Sequence, residues 1–155
     1  MEPDVSISRT IAASPSAVFA ALTDVTRMGE WSPENHANEW KDGVTAAEVG
    51  ARWVGQNRNG DYQWATESEV AELVADQRFT FNCHAPAYDD FHFASWGFDI
   101  EACEGGCKVT QHWQDLRPEA MRGVKSELSG VTDRVAHNTA GMEATLEALA
   151  NSLES

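Results

Sequence analysis

The strongest periodic pattern in the chain lies near its C-terminus, in VTDRVAHNTAGMEATLEALANSL (Val131–Leu153). Its apolar residues recur at spacings of four, seven, four, three and four: Val131, Val135, Met142, Leu146, Leu149 and Leu153. At about 100° per residue these positions form one narrow stripe, which is typical of a long helix lying on a flat surface. Because most of the remaining chain has the pattern of strands, we expect that surface to be a sheet.

Upstream of this helix the chain begins with one strand and two short helices. The alternation in Val5–Ala12 predicts the first strand. Ser14 can then cap a short helix, because its hydroxyl can accept a hydrogen bond from a free backbone N–H, and Pro15 suits the first helical turn. A second short helix is predicted to begin after Thr23 or Asp24, and Pro33 prevents it from continuing.

From residue 35 to residue 116 the apolar period becomes two, which is the period of strands. Six strands are predicted there: His36–Lys41, Ala51–Asn57, Gln63–Val74, Arg78–Ala85, Phe91–Ala102 and Lys108–Asp115. The short turns between them indicate an antiparallel meander, and Arg117-Pro118 is predicted to open a short helix that ends near Leu128. The predicted class is therefore α+β, with a twisted seven-stranded antiparallel sheet wrapped around the long C-terminal helix.

Composition restricts the partners that the protein can bind. The chain has 155 residues, about the size of one domain, and its net charge of −14 disfavours nucleic acid and anionic lipid headgroups. No apolar run approaches the roughly 18 residues that span a bilayer, so no stable membrane association is expected. Because the first residues lack the basic and apolar regions of a signal peptide, a cytoplasmic location is expected. The unpaired sheet edges leave both a monomer and a homodimer open.

Five short motifs carry a family resemblance. They are IAASPSAVF (Ile11–Phe19), GEWSPE (Gly29–Glu34), VGARW (Val49–Trp53), His137-Asn138 and GMEATL (Gly141–Leu146). Over nearly its whole length the chain resembles the SRPBCC superfamily, also called START-like or Bet v 1-like, in its polyketide cyclase/dehydrase and lipid-transport branch. The resemblance implies a single START-like domain over residues 1–155 with the helix-grip fold. It also implies a small hydrophobic ligand, aromatic, polyketide-like or lipid, in a cavity between sheet and helix.

Alternation along the strands selects the side chains that face the long helix. Many of them are aromatic, which suits a cavity for a flat or apolar ligand, although the same residues could simply fill the core. The predicted ligand-binding residues are Trp53, Asn57, Trp64, Phe81, His92, Trp96, Phe98, Gln111, Trp113, Asn138 and Met142. No cofactor is predicted, and no metal site, because the three cysteines lack the spacing of a ligand set.

The polar members of this set are informative because they lie on apolar faces. Asn57 shares the face of Trp53, Gln111 lies between Val109 and Trp113, and Asn138 lies at the edge of the helical stripe. Their amides could hydrogen-bond a carbonyl or hydroxyl group on an apolar ligand. Alternatively they could satisfy each other, a bulge or a buried water.

The histidines are weaker candidates. His137 is expected to point to solvent, and Arg134 beside it to form a surface ion pair. His92 shares the parity of Trp96 and could lie at a cavity mouth, unless the strand is bulged near Ala94-Ser95.

Two main functions follow from this pattern. The first is binding or carrying a small hydrophobic molecule, which requires only a cavity and a few orienting amides. The second is a polyketide aromatase/cyclase or dehydratase, which requires a positioned acid or base, and only His92 and Tyr62 lie on suitable faces. A third reading, a protein-binding module similar to Hsp90 activators, would require an exposed apolar patch. The sequence leaves open whether the protein is an enzyme.

Overall fold

The structure is a computed structural model that describes residues 1–154. Seven strands form one sheet: β1 (Val5–Ile11), β2 (Asn35–Trp40), β3 (Arg52–Asn59), β4 (Tyr62–Val74), β5 (Arg78–Ala85), β6 (Phe91–Cys103) and β7 (Gly106–Asp115). Neighbouring strands are antiparallel in the order β1-β7-β6-β5-β4-β3-β2. The predicted seven-stranded antiparallel sheet is confirmed, and its first strand pairs with its last. Among the described residues, no helix is long and apolar enough to cross a membrane.

Two α-helices flank this sheet. They are α1 (Pro15–Thr23) and α2 (Arg134–Leu153), and the predicted second short helix is a 3₁₀ helix, Val25–Glu30. The Ser14 hydroxyl accepts a hydrogen bond from the backbone N–H of Ala17 at 3.1 Å, so the predicted N-cap of α1 is confirmed.

One end of the sheet is closed by the helices. There α1 packs against β5 and β6, while α2 packs against β1 and its Glu154 carboxylate accepts a hydrogen bond from the backbone N–H of Ala12 at 2.9 Å. The side chains between these elements are fully buried and apolar: Ile11, Val18, Val25, Phe79, Val109 and Leu149. We call this the closed end, and the sheet face that carries these residues the inner face. The opposite end, where β7 ends and β2 begins, is the open end.

The helical stripe predicted for α2 is correct only in part. The buried residues of α2 are Asn138, Met142, Thr145, Leu146, Leu149 and Ala150. Val131 is buried but precedes the helix, which is capped by the Asp133 carboxylate accepting from the Ala136 N–H at 3.0 Å. Val135 is 50% exposed, contrary to the prediction, because the first turn of α2 borders an open cavity instead of the core.

The short helix predicted from Arg117 to Leu128 is wrong. Residues 116–133 form a connection, the β7–α2 loop, whose only helical turn among the described residues is the 3₁₀ turn Glu119–Met121. Gly123 has a φ of +75°, which no right-handed helix accommodates. Met121, Val124 and Leu128 are exposed, so a helix from Arg117 to Leu128 would have no apolar face to bury against the sheet.

Candidate functional site

The predicted aromatic residues lie together on the inner face. The Trp53 ring contacts Phe81 edge-on with 5.0 Å between centroids, and Trp96 lies 6.2 Å from Trp113. Of the predicted apolar residues, Trp53, Phe81, Phe98, Trp113 and Met142 are buried. Much of the predicted set therefore also serves as core, as the alternative reading proposed.

Three inner-face tryptophans are covered only in part. Trp40, whose ring meets Trp53 edge-on with centroids 5.4 Å apart, is half-buried, and so are Trp64 and Trp96. The strand contacts of α2 are chiefly with β1 and β7, so α2 does not cover β2, β3 and β4 as closely. Part of the surface of these three indoles therefore remains accessible on the inner face.

Gln111 is the most isolated polar side chain on this face. It is only 6% exposed and lies opposite Phe98 on β6 and Ile7 on β1. Its side-chain oxygen Oε1 is buried and has no hydrogen-bond partner. Gln111 thus lies on an apolar face, as predicted. The alternative that a neighbouring group satisfies it does not hold for its side-chain oxygen.

A group of amides occupies the inner face of β2, β3 and β4 near the open end. We call it the polar corner: Asn35, Asn38, Asn57 and Thr66, arranged around Gly55. Asn35 Nδ2 donates to Asn57 Oδ1 at 3.1 Å, and Asn57 Nδ2 donates to Thr66 Oγ1 at 3.1 Å. Asn38 Nδ2 donates to Asn35 Oδ1 at 2.6 Å, but Asn38 Oδ1 is buried without a partner. Asn57 is therefore satisfied by its neighbours, as one of the two alternatives held.

The start of α2 adds a charged group beside the polar corner. Arg134 Nη1 donates to the Glu34 carboxylate at 2.8 Å and to Asn138 Oδ1 at 3.1 Å. His137 Nε2 lies 2.9 Å from the same carboxylate, so this histidine is not simply solvated, although its side chain is 34% exposed. Asn138 is 6% exposed, as expected for a residue facing the sheet.

Sequence reasoning found Arg134 as an ion-pair residue but missed Glu34, which binds the side chains of both Arg134 and His137. The available signal was the i, i+3 spacing of Arg134 and His137, which places both on one side of a helix. Their partner lies about a hundred residues away in the chain, and no local pattern identifies it.

His92 lies on the outer face. The register of β5 and β6 shifts between Cys83 and His84, so His92 pairs with His84 and its ring stacks on the His84 ring with 5.1 Å between centroids. His92 Nε2 is 3.0 Å from Ser95 Oγ, and burial lowers the pKa of the imidazole. The bulge that the sequence left open is thus present, and it moves His92 away from the other predicted site residues. The other candidate acid or base, Tyr62, packs its ring on Gly130.

Two cavities are described, and neither is lined by a predicted site residue. The larger, about 330 Å³, lies at the open end between the end of β7 and the start of α2. Its lining includes Asp4, Asp115, Arg117, Arg122, Asp133 and Arg134. The smaller, about 170 Å³, lies at the β2–β3 edge of the sheet, beside Val54 and Gln56. Ligand binding along the inner face remains a prediction, and the larger cavity lies at the open end of that face.

A buried ion pair fixes the β7–α2 loop at this opening. The Arg117 guanidinium donates to Asp115 Oδ2 at 2.7 Å, and Arg122 Nη2 donates to the Asp115 backbone carbonyl at 2.8 Å. Burial of the Asp115 carboxyl by itself raises its pKa, but the hydrogen bonds from Arg117 outweigh burial, so the pKa lies below its usual range.

Metal and thiol chemistry find little support at this site. Within residues 1–154, no three His, Cys, Asp or Glu side chains are grouped to hold a metal ion. Burial raises the pKa of the Cys83 thiol to about 12, against the opposing effect of its 3.3 Å contact with Ser68 Oγ. A thiol that stays protonated at neutral pH is a poor nucleophile.

The fold is the helix-grip fold of Bet v 1-like proteins, with an antiparallel sheet around one long C-terminal helix. A family model described as "Polyketide cyclase / dehydrase and lipid transport" matches residues 2–154, and the chain belongs to that family. The predicted SRPBCC membership is thereby confirmed. A comparison with curated proteins gave no match.

Several solved structures share the fold. StfQ, a di-domain ARO/CYC from the steffimycin biosynthetic pathway, has a TM-score of 0.72 and 10% identity over 97% of this chain and 50% of its own. The major latex-like protein 151 of Panax ginseng has a TM-score of 0.70 and 8% identity over 96% and 95%. The Aha1 dimer of Colwellia psychrerythraea has a TM-score of 0.67 and 18% identity over 97% and 95%. At these identities the likeness is one of fold alone.

Proposed function

We propose that the protein binds or carries a small hydrophobic molecule, aromatic, polyketide-like or lipid, on the inner face between the sheet and α2. The observation that carries this proposal is the set of three half-buried tryptophans, Trp40, Trp64 and Trp96, on a face that is otherwise core. A closed hydrophobic core would bury such side chains, whereas a binding face leaves aromatic surface for the ligand. The family description, which covers both cyclases and lipid transport, agrees with this class of ligand.

Binding requires the open end to admit the ligand. The β7–α2 loop crosses this end, where Asn59 Nδ2 donates to the Ser129 carbonyl at 2.8 Å and Asp115 binds Arg117. A ligand that reaches Trp96 from the larger cavity therefore passes this loop and contacts it when bound. Hydrogen exchange of residues 116–133 is expected to slow when a ligand is bound, because the loop is then held in one arrangement.

A direct test uses the fluorescence of the inner-face tryptophans with a neutral apolar probe such as Nile red. Trp96→Ala is expected to weaken binding about tenfold, because it removes one of the half-buried aromatic side chains of the inner face. Tyr88→Ala is the matched control, since Tyr88 is an aromatic residue 60% exposed in the β5–β6 connection. Equal affinities of the two variants would place the probe elsewhere, and the absence of saturable binding would refute the proposal. Native mass spectrometry with organic extraction would show any ligand retained from the cell.

The second candidate is a polyketide aromatase/cyclase or dehydratase acting on the same face. The pair of His137 and Glu34 favours it, because a carboxylate that orients an imidazole prepares a general base for enolisation, and Asn138 beside it is buried toward the sheet. With a linear poly-β-ketone substrate, His137→Gln is then expected to slow ring closure about a hundredfold.

The outer face supplies a matched control for this variant. His112 Nε2 lies 2.6 Å from Asp99 Oδ2, in a histidine–carboxylate pair of the same kind. His112→Gln should leave the rate of ring closure unchanged. Equal rates for the wild type and both variants would mean that His137 is not the base.

A further inference from the structure

The inner face contains two buried amide oxygens that lack hydrogen-bond partners. They are Oε1 of Gln111 on β7 and Oδ1 of Asn38 on β2. Buried polar side-chain atoms are nearly always paired in folded proteins, so two on one face require an explanation. Both atoms are hydrogen-bond acceptors, so the missing partner in each case is a hydrogen-bond donor.

Gln111 is flanked on the neighbouring strands by apolar side chains only. The Gln111 side chain is only 6% exposed, and its cross-strand neighbours are Phe98 and Ile7. Along β7 the residues that share its face are Val109 and Trp113, both buried. None of these side chains except the Trp113 indole has a donor to offer, and Oε1 has no partner.

Asn38 Oδ1 lies in a closely packed part of the polar corner and has no partner there. Gly55 on β3 lies beside it, and a Cβ atom at Gly55 would lie only 3.1 Å from Asn38 Oδ1 and 2.9 Å from Asn35 Nδ2. A glycine here keeps the polar corner free of a side chain. The amide nitrogen of Asn38 donates one hydrogen bond to Asn35 Oδ1, whereas the oxygen of the same amide has no partner.

The charges at the open end argue against an anionic ligand. The arginines that line the larger cavity are already engaged, because Arg117 and Arg122 bind Asp115, and Arg134 binds Glu34. The same lining carries Asp4 and Asp133, and the chain has a net charge of −14. A carboxylate head group would meet repulsion and find its cationic partners occupied.

We propose that the inner face selects uncharged apolar molecules that carry hydroxyl donors, and that Gln111 Oε1 accepts a hydrogen bond from the ligand hydroxyl. This inference rests on the proposed binding function and adds the chemical class, phenols and alcohols instead of carboxylic acids, ethers or ketones. Asn38 Oδ1 provides a second acceptor about five strand spacings away, roughly 24 Å along a flat sheet and less along a curved one. An extended ligand with a donor at each end is needed to reach both.

The test compares three probes of one ring system: 1-naphthol, 1-methoxynaphthalene and 1-naphthoate. Their affinities are measured by calorimetry at pH 7 on the wild type, Gln111→Met and Gln63→Met. The wild type is expected to bind 1-naphthol about tenfold more tightly than the ether, and 1-naphthoate more weakly than either. Gln111→Met keeps the side-chain length but removes the acceptor. This variant should bind 1-naphthol and the ether with equal affinity, and its affinity for the ether should equal that of the wild type.

The control and the contrary outcomes separate this inference from the proposed function. Gln63 is exposed on the opposite face of β4, so Gln63→Met should behave as the wild type. Equal wild-type affinities for 1-naphthol and the ether, or tighter binding of 1-naphthoate, would overturn the inference while leaving the binding function in place. A preference that persists in Gln111→Met would also overturn it. Failure of all three probes to bind the wild type saturably would overturn the binding function as well.

Discussion

The closed end and the open end of the inner face are built on the same seven strands but differ in chemistry. At the closed end Ile11, Phe79 and Val109 are fully buried, and α1 and the C-terminal half of α2 cover them. At the open end the same strand alternation presents asparagines and half-buried tryptophans, beneath a loop instead of a helix. The difference indicates that the closed end provides the free energy of folding, whereas the open end gives up some of it for a binding face.

Two backbone features produce the polar corner within this regular sheet. The register of β2 against β3 shifts between Asn35 and Ala37, which brings Asn35 and Asn38 to the same side. Gly55 then leaves room where a side chain would collide with both amides. A bulge next to a glycine is a common device for aiming side chains at a functional face.

The largest effect that we expect is at the closed end. Leu149→Ala removes a fully buried side chain of α2 and should lower the free energy of unfolding by about 3 kcal/mol. Leu128→Ala makes the same chemical change in the β7–α2 loop, where the side chain is 46% exposed, and should stay within about 0.5 kcal/mol of the wild type. Urea unfolding measures both variants. Similar losses would remove the energetic distinction between the two ends.

An intermediate effect is expected where the β7–α2 loop is anchored. Asp115→Asn leaves the Arg117 guanidinium without its carboxylate and should cost about 2 kcal/mol. Ligand affinity should change as well, because the loop that crosses the open end loses its attachment. An unchanged unfolding free energy would show that the ion pair only offsets its own burial.

The same residue gives a pH dependence of known sign. Because the pKa of Asp115 is lower in the folded chain than its usual value, its contribution is fully present above about pH 4 and is lost as the pH falls through the folded pKa. The difference in unfolding free energy between the wild type and Asp115→Asn should therefore be constant from pH 7 to pH 5 and shrink below about pH 4. A difference that grows in acid would contradict the direction of the shift.

The closed end was the easier half to predict from sequence. The bounds of β5, Arg78–Ala85, are those predicted, because strict alternation between Phe79, Phe81 and Cys83 leaves no other register. Ser14 identified the start of α1 for an equally local reason, since a cap acts within one turn. Where a pattern is local and its face is fully buried, the chain alone determines the element.

The open end could not be predicted to the same depth because its features depend on distant contacts. Whether His92 faces inward depends on a register shift opposite His84, and alternation alone cannot place a bulge. His137 is held by Glu34, which lies outside any local pattern of the helix. Arg117-Pro118 indicated the start of a helix, but the apolar residues that follow, Met121, Val124 and Leu128, are exposed and have no surface to pack against. Each error concerns a position where tertiary context outweighs periodicity.

The smallest expected effect bears most directly on the difference between stability and binding. Gln111→Met removes a buried oxygen without a partner, so it should raise the free energy of unfolding by about 1 kcal/mol in the absence of ligand. Without ligand, Gln111→Met would then be more stable than the wild type, although it discriminates less well between 1-naphthol and the ether. A binding site that lowers stability in favour of recognition is expected to behave in this way. Urea unfolding of the wild type, Gln111→Met and Gln63→Met measures this gain, and Gln63→Met should show none. A loss of stability in Gln111→Met would mean that the amide is satisfied within the fold, so that Gln111 belongs with the core of the closed end instead of with the binding face.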